Sequence, residues 1–171
     1  MHIYLINSYL YERGILMQLL ISEILDQVEA ASDLNQKINI LRQNDSHIIR
    51  TIMRLNYDPY LKMDLPEGEP PFKKILERPA GYSESNLNTE YRRFYIWLTP
   101  QPTLPKLKKE ALFVTMLESL HWSEAEVLLS AKDRKLHKKY KSLTEDMVRQ
   151  AYPNTITPRD KFPEDFDPPL V

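Results

Sequence analysis

The sequence predicts an all-α domain, a single compact bundle of six or seven helices with proline-rich loops and arms. Three observations carry that expectation. Apolar residues recur at a period near 3.6 in the segments between prolines. The prolines cluster in three stretches, LPEGEPPFKKILERP (65–79), TPQPTLP (99–105) and PNTITPRDKFPEDFDPPLV (153–171), which leaves the intervening segments free to be helical. Helix-start residues stand where several of those segments open.

The first helix is read from Leu16, Leu19, Leu20, Ile24, Leu25 and Val28, which share one face. Asp33 then caps LNQKINILRQ, with Leu34, Ile38 and Leu41 on one face, and Asp45 or Ser46 caps HIIRTIMRLNY, which ends at Tyr57-Asp58-Pro59. After the first proline loop, NLNTEYRRFYIWL places Leu87, Tyr91, Phe94, Tyr95 and Leu98 on a core stripe and leaves Trp97 off it, as an exposed contact. YRRFYIWL is the stretch closest to a strand, and no alternating partner accompanies it. PKLKKEALFVTMLESL starts on Pro105, a residue suited to a first turn, and carries Leu107, Ala111, Val114, Met116, Leu117 and Leu120. Two S-x-x-E capping boxes, Ser123 with Glu126 and Ser142 with Glu145, are expected to open the last two helices.

Composition excludes several chemistries. With no cysteine there is neither a disulfide nor a thiolate nucleophile, which suits a cytosolic protein. The three glycines Gly14, Gly68 and Gly81 form neither GxGxxG nor GxxxxGK[ST], so no phosphate-cradling nucleotide loop is present. The histidines His2, His47, His121 and His137 are scattered, and none pairs with another at i+3 or i+4 as a zinc site would require. His121 beside Trp122 reads as a helix-end imidazole. Asp64, Glu67 and Glu69 sit among prolines and read as solvated rather than metal-binding, and the EDFD stretch (164–167) reads as a docking or solvating tail. No GxSxG elbow occurs. The expectation is a protein that is not an enzyme, with no metal, cofactor or small-molecule substrate. No apolar run approaches a membrane span, and HIYLINSYLYER lacks a basic leader, so no membrane association or signal peptide is expected.

Charge is the informative feature. Residues 91–141 hold eleven Lys/Arg against five Asp/Glu, a net of +6, while the whole chain carries −1. Three segments supply the basic residues: Arg92 and Arg93; Lys106, Lys108 and Lys109; and the run from Lys132 to Lys141, with Arg134, Lys135, Lys138, Lys139 and Lys141. Clustered on one face, they would bind phosphates without reading sequence. The run also leads into the helix expected at Ser142, whose N–H groups would favour the same anion. Scattered, the same residues would only complement helix dipoles and stay hydrated.

LISEILDQVEAASDLNQKINILRQNDSHIIRTIMRLNYDP (20–59) resembles the opening of the helical DNA-binding domain of ATP-dependent DNA ligases, the T-even phage enzyme above all. The shared features are the K-x-x-ILxxN pattern at Lys37, Ile40, Leu41 and Asn44 and the Leu-x-Tyr ending at Leu55 and Tyr57. SEAEVLLSAKDRKLHKKYKSLTEDMVRQAYP is similar to the last two helices of that domain, through Val127, Leu128, Arg134, Leu136 and the closing Tyr152-Pro153. The chain also looks like a family of small, uncharacterised proteins of T-even-like phages of cyanobacteria, through LPEGEPPFK, the Arg92–Arg93 helix and MLESL. The resemblance spans about residues 17–153 and implies a stand-alone relative of a DNA-binding module. KLHKKYKSL lacks the glycine with which the ligase loop approaches the minor groove, and no KxDG nucleophile follows, so ligation is excluded. On this reading residues 1–16 are an N-terminal extension, 17–153 the domain and 154–171 a proline-rich acidic arm.

Two functions are therefore expected in parallel. The first is a phage accessory protein in DNA replication, repair or recombination, acting in the host cytoplasm and binding nucleic acid through Arg92, Arg93, Lys106, Lys108, Lys109, Arg134, Lys135, Lys138, Lys139 and Lys141. The second is a virion or assembly component whose proline-rich arms hold phage assembly proteins. Whether the three basic segments share a face discriminates them.

Overall fold

Helix starts in the first third follow the local chemistry. The computed structural model describes residues 18–167 and 169, so the expected 1–16 extension lies outside the described residues. Helix α1 (Ile21–Ala30) begins where the Glu23 carboxylate reaches back to accept the Leu20 backbone N–H at 2.8 Å. Helix α2 (Leu34–Gln43) is capped by Asp33, which accepts from Gln36 N at 2.9 Å. Helix α3 (His47–Tyr57) is capped by Ser46, which accepts from Ile49 N at 3.3 Å. Each cap satisfies an N–H that the helix itself cannot pair.

The remaining helices are α4 (Leu87–Glu90), α5 (Tyr95–Leu98), α6 (Lys106–Ser119), α7 (Trp122–Lys132), α8 (Leu136–Lys139) and α9 (Glu145–Ala151). No strand occurs among the described residues, and six of these nine helices run seven residues or more. Helix α3 packs along α7 at the centre, α1 packs on α2 and α7, and α9 closes against α2. Ile49, Ile52, Met53, Leu117, Val127, Leu128 and Val148 are fully or almost fully buried at these contacts. Tyr57 spans the core and donates to Leu143 O at 2.8 Å, so its hydroxyl is buried but paired.

The segment 87–98 departs from the single helix expected. A 3-10 turn, Tyr91–Arg93, separates α4 from α5. A 3-10 turn winds about 20° more per residue than an α-helix, so the face of α5 is rotated relative to α4. Trp97, expected outside, is therefore 1% exposed, packs edge-on against Phe94 and Phe113, and donates Nε1–H to Lys109 O at 3.0 Å. Tyr95, expected in the core, is 57% exposed in its place. Leu107 is likewise corrected: it lies in the first turn of α6, ahead of the packed part of that helix, and is exposed.

Both capping boxes are also corrected. Helix α7 is capped by the His121 ring, whose Nδ1 accepts from Ser123 N at 3.3 Å while Nε2 donates to Arg78 O at 2.9 Å. Helix α9 is capped by Thr144, whose hydroxyl accepts from Met147 N at 3.2 Å. Ser142 is engaged elsewhere, by Glu29 and Lys37.

Two of the three proline-rich stretches, the first and the last, are held against the helices. Residues 58–86 contain no helix, and backbone contacts along the loop hold them. Asp64 N donates to Trp97 O at 2.8 Å, Lys73 N to the Glu118 carboxylate at 3.0 Å, and Ser85 N to Ser119 O at 3.0 Å. Past α9, Arg149 donates to Ile156 O and Thr157 O, and Thr157 donates through N and Oγ1 to Asp58 Oδ2 at 3.1 Å. Asp58 is fully buried, and burial alone would raise its pKa. The hydrogen bonds from Tyr60 N and Thr157 and the Arg54 charge outweigh burial and hold the carboxyl below its ordinary value.

Candidate nucleic-acid interface

The basic residues divide by what their neighbours do with them. At the start of α6, Lys106 and Lys108 are exposed and have no ion-pair partner among the described residues. Lys109, one turn further round, is buried and paired with Asp64 from the proline loop. Arg93 is paired with Glu90 at 3.1 Å and Arg92 stands exposed. The intervening Tyr91 stacks flat on His47, with ring centroids 6.0 Å apart, so it is not available to a base.

The run 132–141 divides in the same way. Helix α7 ends in a Schellman turn, with Lys135 N donating to Ser130 O at 2.7 Å and Arg134 N to Ala131 O at 3.1 Å. That turn puts Arg134 at φ 56°, a position where glycine is usual. Its side chain crosses the molecule instead of facing solvent. One guanidinium nitrogen donates to Asp58 O at 2.8 Å and Leu61 O at 3.2 Å, and the group lies 5.3 Å from the Phe166 ring centroid. Burial lowers its pKa, though an arginine remains charged. Lys132 is buried and donates to Pro66 O at 2.8 Å, to Gly68 O at 3.2 Å and to Asp133. Asp133 in turn accepts from Gly68 N at 2.9 Å. Lys109 and Arg134 thus serve the fold and leave the set expected to contact phosphate.

The rest of the run faces out. Lys135 pairs with Glu67 at 2.9 Å, both on the surface, and Lys139 lies 3.3 Å from Glu126 and 5.9 Å from the Trp122 ring centroid. Lys138 and Lys141 are exposed and have no ion-pair partner among the described residues. Single-turn helix α8 presents Lys138, Lys141 follows in the turn after it, and α8 begins where Asn56 Oδ1 accepts the Leu136 N–H at 3.0 Å. The anion position expected ahead of the last helix is taken by Glu29, which accepts from Ser142 N at 3.1 Å and Ser142 Oγ at 2.6 Å. Partial burial opposes its ionisation, but the Ser142 hydrogen bonds and Lys37 outweigh that and hold its pKa low.

The proline loop brings two of the three basic segments together. Asp64 lies against Lys109 and within the field of Lys106, while Glu67 is paired with Lys135 and feels Lys132 and Lys62. A pocket of about 230 Å3 opens between the loop and the start of α6, lined by Asp64, Leu65, Pro66, Lys106 and Glu110. The Arg92–Arg93 segment touches this edge only at a distance, through the Trp97 carbonyl that accepts from Asp64 N. Sequence reasoning missed Lys62, Asp58 and Glu124. Glu124 is a fully buried carboxylate that accepts the first N–H groups of two helices, Ile21 N at 3.0 Å and Leu87 N at 2.9 Å. Burial pushes its pKa up. Only the position of Glu124 one residue past Ser123 hinted at a role, and that position reads equally as a solvated first-turn acid.

The family model for a family of unknown function (DUF6433) matches residues 24–138. The chain belongs to that family. Neither the curated proteins nor the solved structures contain a match. The DUF6433 match runs from α1 into α8, so it contains the proline loop, the start of α6 and the buried half of the basic run. Lys139, Lys141 and helix α9 lie beyond it. No helix of the described residues is long and apolar enough to cross a membrane.

Proposed function

We propose that this DUF6433 protein is a non-catalytic accessory protein that holds nucleic acid by its phosphates. The contacts are Lys106, Lys108, Lys135, Lys138, Lys139 and Lys141, with Arg92 and Arg93 at the margin. The observation that carries this reading is the division of labour within the basic run. Buried cations anchor the loop, and the remaining lysines are left exposed to solvent. Exposed lysines on short, anchored elements neutralise phosphate and release condensed counterions, and they do not read bases. The resemblance to the ligase DNA-binding domain supports a place in phage DNA replication, repair or recombination, in the host cytoplasm.

The test is fluorescence anisotropy on a labelled duplex across a salt series. Six lysine contacts predict a slope of log K against log salt of about −5. Changing Lys135, Lys138 and Lys139 together to Glu removes binding at low salt and lowers stability by no more than about 1–2 kcal/mol. Absence of salt-dependent binding to any DNA or RNA at about 50 mM salt sinks the reading. A virion-assembly role then takes its place, favoured by the exposed apolar side chains Leu76, Tyr82 and Leu107.

A further inference from the structure

We propose that the proline loop at residues 64–69 is a built-in competitor for the phosphate surface, with the Glu67 carboxylate standing on Lys135 where a phosphate would sit. This inference rests on the nucleic-acid reading above and adds its regulation.

The loop is attached to the basic run in two different ways. Its backbone is clamped: buried Lys132 donates to Pro66 O and Gly68 O, and Asp133 accepts from Gly68 N. Gly68 turns the chain at φ 93°, and Pro66, Pro70 and Pro71 restrict it on either side. The Glu67 side chain is not clamped. Glu67 is 77% exposed and meets Lys135, itself 44% exposed, at 2.9 Å in open solvent. An exposed pair of this kind is weak and readily exchanged. The rigid backbone nevertheless keeps the carboxylate close to Lys135 at high local concentration, so any incoming anion competes with it. A single soluble carboxylate competes poorly. A polyphosphate chain that engages several lysines at once and releases counterions competes well. The loop therefore selects for dense polyanions and holds the surface against ordinary acidic ligands.

Glu69 supplies the control. It lies two residues away in the same loop but pairs with Lys74, at 2.7 Å, rather than with the run. Glu67→Gln and Glu69→Gln change the net charge equally, yet only the first uncovers Lys135. The experiment compares parent, E67Q and E69Q on the same labelled duplex from about 20 to 200 mM salt, with thermal melts to confirm folding. E67Q is expected to bind about three- to tenfold tighter, with a salt slope steeper by about one contact. E69Q is expected to stay within about twofold of the parent. Binding by E67Q alone also supports the proposal. Equal tightening by both variants overturns it in favour of a plain net-charge effect. A parent that binds while E67Q is unchanged overturns it and leaves the nucleic-acid reading standing. No binding by any of the three proteins overturns both.

Discussion

Residues 132–136 and residues 138–141 belong to one basic run, yet the molecule uses them oppositely. The first half, Lys135 apart, is internal scaffolding: Lys132 clamps the proline loop, Arg134 ties residues 58–61, and Leu136 is buried. In the second half, Lys138 and Lys139 ride on a single turn of helix and Lys141 on the turn that follows it, with their charges in solvent. The difference shows that a charge run is not by itself a face. A lysine buried against carbonyl oxygens is a polar strut, and the same residue a turn later keeps its charge in water.

The comparison breaks first at Lys132. Lys132→Ala leaves Pro66 O and Gly68 O without their donor and Asp133 without its cation. An expected loss of about 3 kcal/mol in chemical denaturation contrasts with a change under about 0.5 kcal/mol for Lys138→Ala. Equal effects at the two sites would erase the distinction between strut and contact.

Asp58 extends the internal half, because the backbone it caps is the one Arg134 grips. Its carboxyl is held below the ordinary value, so the charged form is the one the fold favours. Stability from this group is fully present above the unfolded-state value of 3.8 and is lost as pH falls through the lower folded-state value. Asp58→Asn is expected to cost about 2 kcal/mol at neutral pH and to flatten the acid limb of the stability curve below that value. An unchanged acid limb would remove Asp58 from the anchor.

The smallest effect sharpens the boundary after Lys141. Thr144→Ala removes the cap of α9 and costs about 1 kcal/mol. Ser142→Ala costs a similar amount by a different route, the loss of its bond to Glu29. A double-mutant cycle therefore shows coupling between Ser142 and Glu29, and near-additivity between Ser142 and Thr144. Coupling of the second pair alone would restore Ser142 as the cap.

The all-α class was legible because helix periodicity and proline exclusion are local properties. The starts of α2 and α3 were legible for the same reason, since Asp33 and Ser46 each bond the backbone three residues ahead. The capping boxes at Ser123 and Ser142 failed although the motif was present. Tertiary partners, Ser22 for Ser123 and Glu29 for Ser142, offered those residues different bonds. The aromatic stripe of 87–98 failed because three residues of 3-10 geometry rotate a face that a constant period cannot track.

What the sequence determined alone is what nearest neighbours along the chain decide: helix against loop, two caps, the absence of cysteine chemistry and of nucleotide-binding glycine motifs, and the concentration of positive charge between residues 91 and 141. Only the tertiary structure decided which of those charges face water. Lys109, Lys132 and Arg134 are sequestered by oxygens 45, 66 and 76 residues away in the chain, Asp64 Oδ2, Pro66 O and Asp58 O. A cation enters a low-dielectric interior only where such acceptors have already been brought to it. No local pattern encodes that meeting, since it depends on where a 29-residue loop without helices comes to rest.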